Sequence, residues 1–316
     1  MNTKYLRLKE IIRNNSFFII VLVTVRAYVL YFFNRIFHYH LQKKDFYKKL
    51  GYPLNLKKPQ SLNEKIVWKK IYDRNPLLVI VADKYQVRSY LKKILGEEKA
   101  KEILIPLLYV TVKPETIPFE KLPNDFIIKA NHASKRNIIV EDNHFDKKEI
   151  IKTCQRWLKT PYGLEKMEWA YQLINRKIVI EELLREEDGS IPKDYKFYIF
   201  HGKCKLACVD VYEVNNNVRS RSYFDERWHF LPIKKSKIIQ GPKVIKPKNF
   251  GIMLELAEKL SKPFDHVRVD LYNLNGKIYF GELTNYEGSG TSKYEHQSVD
   301  FELGRYWKIE PGYWEE

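Results

Sequence analysis

Cysteine is scarce in this sequence, with only Cys154, Cys204 and Cys208 among 316 residues. An odd and sparse set argues against a disulfide framework and fits a reducing cytoplasm. Cys204 and Cys208 are four residues apart in a strand-like segment, and no His or Cys accompanies them at the spacing of a zinc site. We therefore interpret these two cysteines as buried packing residues.

Two common nucleotide-binding signatures are also missing. The phosphate-binding pattern GxxxxGK[ST] does not occur, and neither does the Asp-x-Asp that many glycosyltransferases use to bind a metal and a sugar diphosphate. Asp210 is followed by Val and Tyr, and Asp270 by Leu and Tyr. This absence weakens a glycosyltransferase hypothesis, although metal-independent types stay open. The chain also lacks internal repeats and low-complexity tracts.

The composition is that of a globular protein with an uneven charge. The chain is 44% hydrophobic and 30% charged, and its length suits one large domain or two to three lobes with an ample core. The net charge is +17, and residues 1–50 contain ten Lys or Arg against two acids. Because this basic segment adjoins an apolar run, it favours an anionic membrane surface over nucleic acid as partner.

The apolar run covers residues 17–33 and is interrupted by Arg26. A spanning helix needs roughly 20 mostly apolar residues, and a central Arg costs about 2.5–3.5 kcal/mol. No small-residue cleavage site follows, so a secretory signal is a poor fit. Three alternatives stay open: a helix in the bilayer interface, a spanning helix, or a buried helix. We predict a cytoplasmic protein associated with the inner face of the membrane through residues 1–50.

Helical signals follow the basic segment. Ser61 and Glu64 have the spacing of a capping box, which predicts a helix that ends near Asn75 and Pro76. The pattern predicts a second helix over 77–95, in which Lys84 and Arg88 share one face. Two cations on one face are typical either of a solvated surface or of an anion site. We expect Lys84 to contact the nucleotide described below.

A strand–loop–strand pattern occupies residues 126–141. The predicted strand 126–130 contains Lys129 and leads into the small polar loop NHASKR, after which the predicted strand 137–141 begins. Such a loop closes over a triphosphate when backbone amides and a Lys neutralise the oxygens. Further periodic segments predict strands at 103–110, 176–184 and 194–200, and helices at 147–159 and 250–261.

A hairpin near the C-terminus carries the most informative residues. The segment HVRVDLYNLNGKIYFGELT predicts two strands joined at Asn275-Gly276, a strong tight-turn signal. Asp270 and Glu282 lie on opposite strands, and Arg268 shares a face with Asp270. Carboxylates of this kind bind Mg²⁺ together with phosphate oxygens. The alternative is a surface hairpin with solvated charges.

These segments together resemble the ATP-grasp superfamily. FIIKANH with its loop, IVIEELL, DYKFYIF and the C-terminal hairpin occur in the expected order. SLNEKIVWKKIYDRNP, ADKYQVR and GKIYFGELTNYEGSG resemble the branch typified by the teichuronopeptide biosynthesis protein TupA, over about residues 55–310. The resemblance implies an α+β ATP-grasp fold with nucleotide between two α+β lobes, here preceded by a helical N-terminal segment. It also implies ATP and Mg²⁺.

The resemblance also implies roles for individual residues. Those predicted to bind the nucleotide are Lys84, Lys129, Ser134, Lys135, Glu181, Glu182, Leu183, Leu184, Asp194 and Lys196. Among them the loop residues cover the phosphates, 181–184 form the adenine hinge, and Asp194 holds the ribose. The predicted metal set is Asp270, Glu282, Thr284 and Asn285. Arg268 and Lys196 are the predicted catalytic residues. Arg136 is a further cation able to reach the phosphates.

The implied activity is that of a carboxylate–amine ligase that proceeds through an acyl phosphate. We predict an acidic sugar or lipid-linked glycan as acceptor and an amino acid or amino sugar as amine. The alternatives are a glycosyltransferase of surface-polysaccharide biosynthesis and a non-catalytic scaffold. The predicted domains are an N-terminal segment at 1–54, a helical lobe at 55–124, a lid at 125–180 and a C-terminal subdomain at 181–316.

Overall fold

The computed structural model describes residues 16–212, 219–236 and 238–315. The chain divides into two compact units, and each is assembled from two separate stretches of sequence. The first unit comprises Met1–Gln42 and Leu107–Leu183, and the second comprises Lys43–Pro106 and Leu184–Glu316. The divisions between these stretches fall after residues 42, 106 and 183.

Two helices open the described part of the chain. Helix α1 is Ser16–Ile36 and helix α2 is His40–Leu50. Only 11% of the most apolar window of α1 is buried, so the alternative of a buried core helix is wrong. By length and composition α1 is able to cross a membrane. The basic residues at positions 4, 7, 9 and 13 lie outside the described residues.

The first unit contains a four-stranded antiparallel sheet in the order β1-β4-β2-β3. Its strands are β1 (Leu107–Thr111), β2 (Phe126–Ala130), β3 (Asn137–Val140) and β4 (Ile178–Glu182). Side chains alternate in and out along β2, because Phe126, Ile128 and Ala130 are buried. The helices α7 (Lys147–Lys159) and α8 (Trp169–Gln172) complete the unit, and Cys154 of α7 joins the core.

The second unit begins with α3 (Leu62–Tyr72), whose predicted capping box is confirmed. The prediction of one helix over 77–95 is wrong, because the chain forms α4 (Leu77–Ala82) and α5 (Val87–Leu95). The carboxylate of Asp83 accepts hydrogen bonds from the backbone amides of Tyr85 and Gln86, at 2.8 and 3.3 Å. This local bonding favours a turn over a continuous helix. Lys84 therefore lies in the turn and not on a helix face shared with Arg88.

The first half of the strand predicted at 103–110 is also wrong. Helix α6 (Glu97–Ile103) runs into it, and the amide of Leu104 still bonds to the carbonyl of Ala100. The carbonyl oxygen of Ile105 accepts a hydrogen bond from Nη2 of Arg88 at 2.9 Å. Pro106 has no amide to donate, so the sheet begins only after it, at β1.

A seven-stranded sheet forms the body of the second unit, in the order β11-β10-β5-β6-β7-β8, with β9 parallel to β7. The bounds are β5 Asp194–Phe200, β6 Lys203–Tyr212, β7 Arg219–Phe224, β8 Phe230–Leu231, β9 Ile239–Gln240, β10 His266–Leu274 and β11 Lys277–Thr284. Helix α9 (Phe250–Ser261) contacts β5, β6 and β10, and α10 (Gln297–Arg305) contacts α3. Aromatic stacking of Phe197 on Phe250 is part of the α9 contact.

The predicted C-terminal hairpin is confirmed. β10 and β11 pair antiparallel, and Asn275 and Gly276 turn the chain with φ angles of 48° and 87°. Positive φ at both positions is the geometry of the tight hairpin turn that Asn-Gly favours. The register shifts by one residue after Asp270. Sequence patterns did not reveal α6, α8, α10 or the short strands β7–β9.

Candidate functional site

Polar side chains lie in two adjacent cross-strand rows on the sheet of the second unit. β10 lies between β5 and β11, so residues of these three strands face one another directly. In one row Asp270 pairs with Lys196 on one side and Glu282 on the other. The neighbouring row consists of Tyr198, Arg268 and Thr284. Because residues two apart share a face of a strand, both rows point to the same side of the sheet.

Lys196 is surrounded by carboxylates. Its Nζ donates to Oδ2 of Asp194 at 2.5 Å and to Oδ2 of Asp270 at 2.6 Å, and Asp210 Oδ2 is 3.8 Å away. Burial opposes the charge of Lys196, but the carboxylates of Asp194 and Asp270 outweigh it and raise the Lys196 pKa. The ammonium is therefore protonated at neutral pH. Burial, opposed by the Lys196 charge, raises the pKa of Asp194 to about 6.

Arg268 links the carboxylates of two strands. Its Nε and Nη2 atoms donate to the two oxygens of Asp270, each at 2.6 Å, which is the strong bidentate geometry. Nη2 also reaches Oε1 of Glu282 at 3.2 Å and Oγ1 of Thr284 at 3.1 Å. The Thr284 hydroxyl in turn donates to Glu282 Oε1 at 2.7 Å. The guanidinium therefore bridges the acids that we predicted as metal ligands.

Glu282 is the carboxylate of this set that faces solvent, with 45% of its side chain exposed. Burial acts to raise its pKa, but Arg268 first and then Lys84 oppose this and hold the pKa at about 2. Glu282 is therefore ionised at neutral pH. The effect of Lys84 on Glu282 also places the turn between α4 and α5 near the row of acids.

Five residues of this network were missed by sequence reasoning, and three of them are Asp210, Arg219 and Arg221. Asp210 on β6 lies opposite Asp194 on β5 and opposite Arg221 on β7. Nε and Nη2 of Arg221 donate to the two Asp210 oxygens at 2.5 and 2.7 Å, and Arg219 Nη2 lies 2.6 Å from Oδ2. A signal was present, because Arg219 and Arg221 alternate in RSRSYF as strand residues do.

Glu287 and Lys235 are the other two residues of the network that sequence reasoning missed. They make a direct ion pair, and both side chains are at least nine-tenths buried. Tyr198 donates its hydroxyl to Glu287 Oε1 at 2.8 Å, and Arg268 Nη1 lies 3.9 Å from the same oxygen. Burial acts against ionisation of Glu287, but the charges of Lys235 and Arg268 lower its pKa far below the usual range. Glu287 lies three residues after the end of the hairpin, directly before Gly288, Ser289 and Gly290.

The network is electrically balanced. Its five acids are Asp194, Asp210, Asp270, Glu282 and Glu287. Its five bases are Lys196, Arg219, Arg221, Lys235 and Arg268. The charge of Lys84 acts on one edge of it. The acids and bases of the network therefore neutralise one another in the folded protein.

The other predicted nucleotide residues lie in the first unit, except Leu184. Lys129 Nζ is 2.7 Å from Oε2 of Glu181, so the predicted phosphate lysine and hinge acid form an ion pair. Glu182 is exposed at the end of β4, and Leu183 is half-buried. Leu184 is the first residue of the returning stretch of the second unit.

The predicted phosphate loop is shaped by Arg136. Its Nη1 donates to the carbonyl oxygens of Trp157 and Thr160, both at 3.1 Å, and Nη2 donates to that of Pro161 at 3.3 Å. The expectation that Arg136 reaches phosphate is therefore wrong, because its guanidinium caps the carbonyl end of α7. Ser134 and Lys135 are exposed at the tip of the loop.

The donor set suits magnesium in part. Within residues 16–212, 219–236 and 238–315 no group of three or more His, Cys, Asp or Glu is arranged to hold a metal ion. Mg²⁺ is nevertheless bound by one or two carboxylates when phosphate oxygens and water complete its octahedron. Asp270 and Glu282 fit that requirement, and Asp194 Oδ1 is buried without a hydrogen bond. The amide nitrogen of Asn285 donates to Leu78 O at 2.8 Å, which leaves its Oδ1, the atom that would bind a metal, buried without a hydrogen bond.

A family comparison matches most of the chain. The model described as TupA-like ATPgrasp matches residues 64–308, which include both cross-strand rows. The match begins at Glu64 of the capping box and ends after α10. No curated protein matches the sequence.

Solved structures of ATP-grasp ligases share a distant likeness with the chain. D-alanine–D-alanine ligase from Bacillus anthracis complexed with ATP is 16% identical, with a TM-score of 0.37, covering 66% of this chain and 54% of that one. The Helicobacter pylori D-alanine–D-alanine ligase is 14% identical, with a TM-score of 0.40 and coverages of 72% and 62%. N5-carboxyaminoimidazole ribonucleotide synthetase from Thermus thermophilus is 7% identical, with a TM-score of 0.38 and coverages of 68% and 48%. The chain thus spans about half to three fifths of these proteins.

Proposed function

Because the chain belongs to the TupA-like ATP-grasp family, we propose that it is an ATP-dependent ligase that joins a carboxylate to an amine. The observation that carries the proposal is the row of Lys196, Asp270 and Glu282 with Arg268 bridging its acids. This combination of two acids and two cations on one face of a sheet is what phosphoryl transfer requires, since that reaction depends on positioning and charge neutralisation.

The acids would hold Mg²⁺, which when bound screens the phosphate charges. Asp270 and Glu282 are the proposed ligands, with Thr284 fixing the Glu282 carboxylate through its hydroxyl. Both oxygens of Asp270 accept from Arg268, so the carboxylate is already oriented and neutralised without a ligand. We therefore propose that Arg268 and Lys196, which neutralise Asp270 here, would donate to phosphate oxygens when the nucleotide is bound.

The remaining nucleotide contacts follow the family pattern. Lys129 and the loop tip with Ser134 and Lys135 would bind phosphate oxygens, and Lys84 would add charge from the second unit. The adenine would contact the hinge at 181–184 through backbone or side-chain atoms of Glu181, Glu182, Leu183 and Leu184. Asp194 would accept from the ribose hydroxyls, which its unpaired Oδ1 supports. Asn285 stays in the proposed metal set, because its Oδ1 is buried without a hydrogen bond while its amide nitrogen donates to Leu78.

The proposed reaction has two steps. A carboxylate oxygen of the acid attacks the γ-phosphorus of ATP, the bond to ADP breaks, and an acyl phosphate forms. The nitrogen of the amine then attacks the acyl carbon, phosphate leaves, and the nitrogen loses a proton to give the amide. Arg268 would steady the transferring phosphoryl group, and Lys196 would neutralise charge on the leaving side.

We further propose an acidic sugar or lipid-linked glycan as the acid and an amino acid or amino sugar as the amine. The resemblance to the polysaccharide branch supports the acid, and the basic N-terminal segment supports an acceptor at the inner face of the cell membrane. The reaction is tested by measuring the release of ADP. We expect ADP to be released only when both an acid and an amine are present.

Nucleotide binding provides the first test and needs no acceptor. We expect titration calorimetry of the full chain to show binding of ATP with Mg²⁺ and no binding of UDP-glucose. The variant Glu282→Gln is expected to weaken ATP binding in the presence of Mg²⁺ by at least about tenfold, because outer-shell partners of bound metals already contribute that much.

Glu295→Gln is the matched control. Glu295 is 51% exposed and pairs with Lys234 at 3.5 Å, so it resembles Glu282 in exposure and pairing but lies outside the rows. Its variant should bind ATP as the wild type does. Binding of UDP-glucose in place of ATP would establish the glycosyltransferase alternative, and equal affinities of the Glu282→Gln and wild-type proteins would remove the metal assignment.

A further inference from the structure

Helix α1 presents an unbroken apolar stripe. Residues at alternating spacings of four and three lie along one line of a helix. The residues on this line are Phe18, Leu22, Val25, Val29, Phe32 and Ile36, which we call the apolar stripe. Each is between 42% and 68% exposed, and none is polar. An exposed patch of this kind on a soluble unit marks an interaction surface.

The opposite side of α1 is attached to the first unit. Ala27 and Asn34 are buried there, and α1 contacts α7. Asn34 Oδ1 accepts from the backbone amide of Gln42 at 3.2 Å, and Arg26 Nε is 3.6 Å from Oε1 of Glu165. A helix with one side packed on its own unit has only its other side free to face lipid, which favours a position in the membrane surface.

The charges of α1 and of the chain that directly follows it in sequence favour an anionic partner. Arg26 and Arg35 are both exposed on α1 itself. Helix α2 follows within four residues, and its exposed Lys43, Lys44, Lys48 and Lys49 are offset by only one acid. Two copies of this segment would repel each other, whereas anionic headgroups attract it. Aromatic residues such as Tyr28 and Phe33 are also typical of the membrane interface.

We propose that α1 lies in the plane of an anionic bilayer surface, with the apolar stripe among the acyl chains and the basic residues at the headgroups. The helix thereby anchors the first unit without crossing the membrane. This inference specifies the membrane location proposed above. Its test contains no nucleotide or acceptor, so it succeeds or fails independently of the ligase activity.

Vesicle co-sedimentation of the full chain tests the stripe. We expect partitioning onto phosphatidylcholine vesicles with about one quarter phosphatidylglycerol to exceed that onto pure phosphatidylcholine by about tenfold. The double variant Val25→Asp/Val29→Asp should lose at least about tenfold of this partitioning, because two buried charges oppose insertion. Both positions are exposed, so the fold is expected to survive the change.

Val112→Asp is the matched control, because Val112 is 58% exposed in the same unit and Val29 is 59% exposed. It should bind vesicles within about twofold of the wild type. Equal binding by the stripe variant and the wild type would overturn the proposal. So would the absence of binding to either vesicle, or a dimer in solution that the stripe variant abolishes, since the occupant would then be a second copy.

Thiol labelling separates a helix in the membrane plane from one that spans. Ile19→Cys and Phe37→Cys place single reporters near the two ends of α1 but off the apolar stripe, while the native thiols are buried. In intact spheroplasts of a bacterial host, an impermeant maleimide should label neither reporter until the cells are lysed. Labelling of one end in intact spheroplasts would show that α1 crosses the membrane and would overturn the proposal.

Discussion

Buried charges in the second unit are costly, and each acid of the network has a cation as its partner. Moving an ion out of water costs several kcal/mol, and attraction to a partner offsets this only when the geometry is good and further hydrogen bonds are made. Asp270 meets that condition through Arg268 and Lys196, and Glu287 meets it through Lys235 and Tyr198. Such networks add little net stability, so their presence in this sheet points to function.

The Glu287–Lys235 pair gives a prediction on stability. Glu287→Gln leaves a buried ammonium without its anion and should lower the free energy of unfolding at pH 7 by about 3 kcal/mol. The pKa of Glu287 lies far below its ordinary value of 4.5. Its contribution is therefore complete above pH 4.5 and declines as the pH falls. Urea titrations at pH 7 and pH 3.5 should show the difference from wild type narrowing at the lower pH.

Glu258→Gln is the control for this experiment. Glu258 pairs with Lys203 at 2.9 Å, but the lysine side chain is 71% exposed, and such surface pairs contribute about 1 kcal/mol or less. A pH-independent difference between Glu287→Gln and wild type would contradict the ionised state of Glu287 in the folded protein.

At the scale of elements, the β10–β11 hairpin aligns the site. Its tight turn sets the register from Leu274–Lys277 to Leu271–Phe280, and a one-residue shift then brings Asp270 opposite Glu282 instead of Gly281. The register shift after Asp270 is a bulge, a feature that redirects side chains near functional sites. Pairing of β10 with β5 then adds Lys196 to the row. The hairpin alone is therefore enough to position the acids, but the cation comes from another strand.

Alanine substitutions at two glycines test the backbone conformation of the hairpin turn and of helix α9. Gly276 has φ +87°, so Gly276→Ala strains the turn and should lower the free energy of unfolding by about 1 kcal/mol. Gly251 lies in α9 with no atom within 4 Å of an added Cβ, so Gly251→Ala should raise it by about 0.5 kcal/mol. Denaturant unfolding measures both. A higher free energy of unfolding for Gly276→Ala and a lower one for Gly251→Ala would show that the turn tolerates L-residues and that the helix position does not.

At the scale of the whole molecule, each unit combines two distant stretches of chain. The sheet of the first unit is built from residues 107–183, while α1 comes from the N-terminus. Cys154 lies in the first unit, and Cys204 and Cys208 lie in the second, all of them buried. The reactivity of the three thiols therefore reports whether each of the two units is folded.

These thiols should be inert until the chain unfolds. Burial raises the pKa of Cys154 and Cys204 to about 12 and that of Cys208 to about 11, so almost no thiolate is present at neutral pH. A thiol reagent should modify none of them in the native protein within minutes and all three in concentrated urea. Rapid modification of one thiol before unfolding would show that the unit containing it opens locally.

Many elements were predictable because their signals are local. The capping box at Ser61, the alternation of Asp194, Lys196 and Tyr198, and the Asn275-Gly276 turn depend on residues close in sequence. The helix over 77–95 failed because an apolar period does not reveal that Asp83 bonds to the following amides. Periodicity reports which face is buried, whereas such side-chain bonds decide where an element ends.

Candidate site residues were likewise predictable where their signal is local. Asp270, Glu282 and Arg268 were apparent from one hairpin, and the family resemblance supplied the rest. Asp210, Arg221 and Lys235 were missed because their partners lie on other strands or in irregular segments. Arg136 was misjudged because its partners are the carbonyls at the end of a helix far along the chain.

By itself, the sequence determined the family, the hairpin and its acids, and the basic apolar N-terminus, because each of these is written in the order and spacing of neighbouring residues. The tertiary structure alone decided which cation faces which acid, that Asn285 points to Leu78, and that α1 exposes one apolar side while its other side is packed. The physical reason is that strand order and helix packing join residues whose separation along the chain carries no local signal.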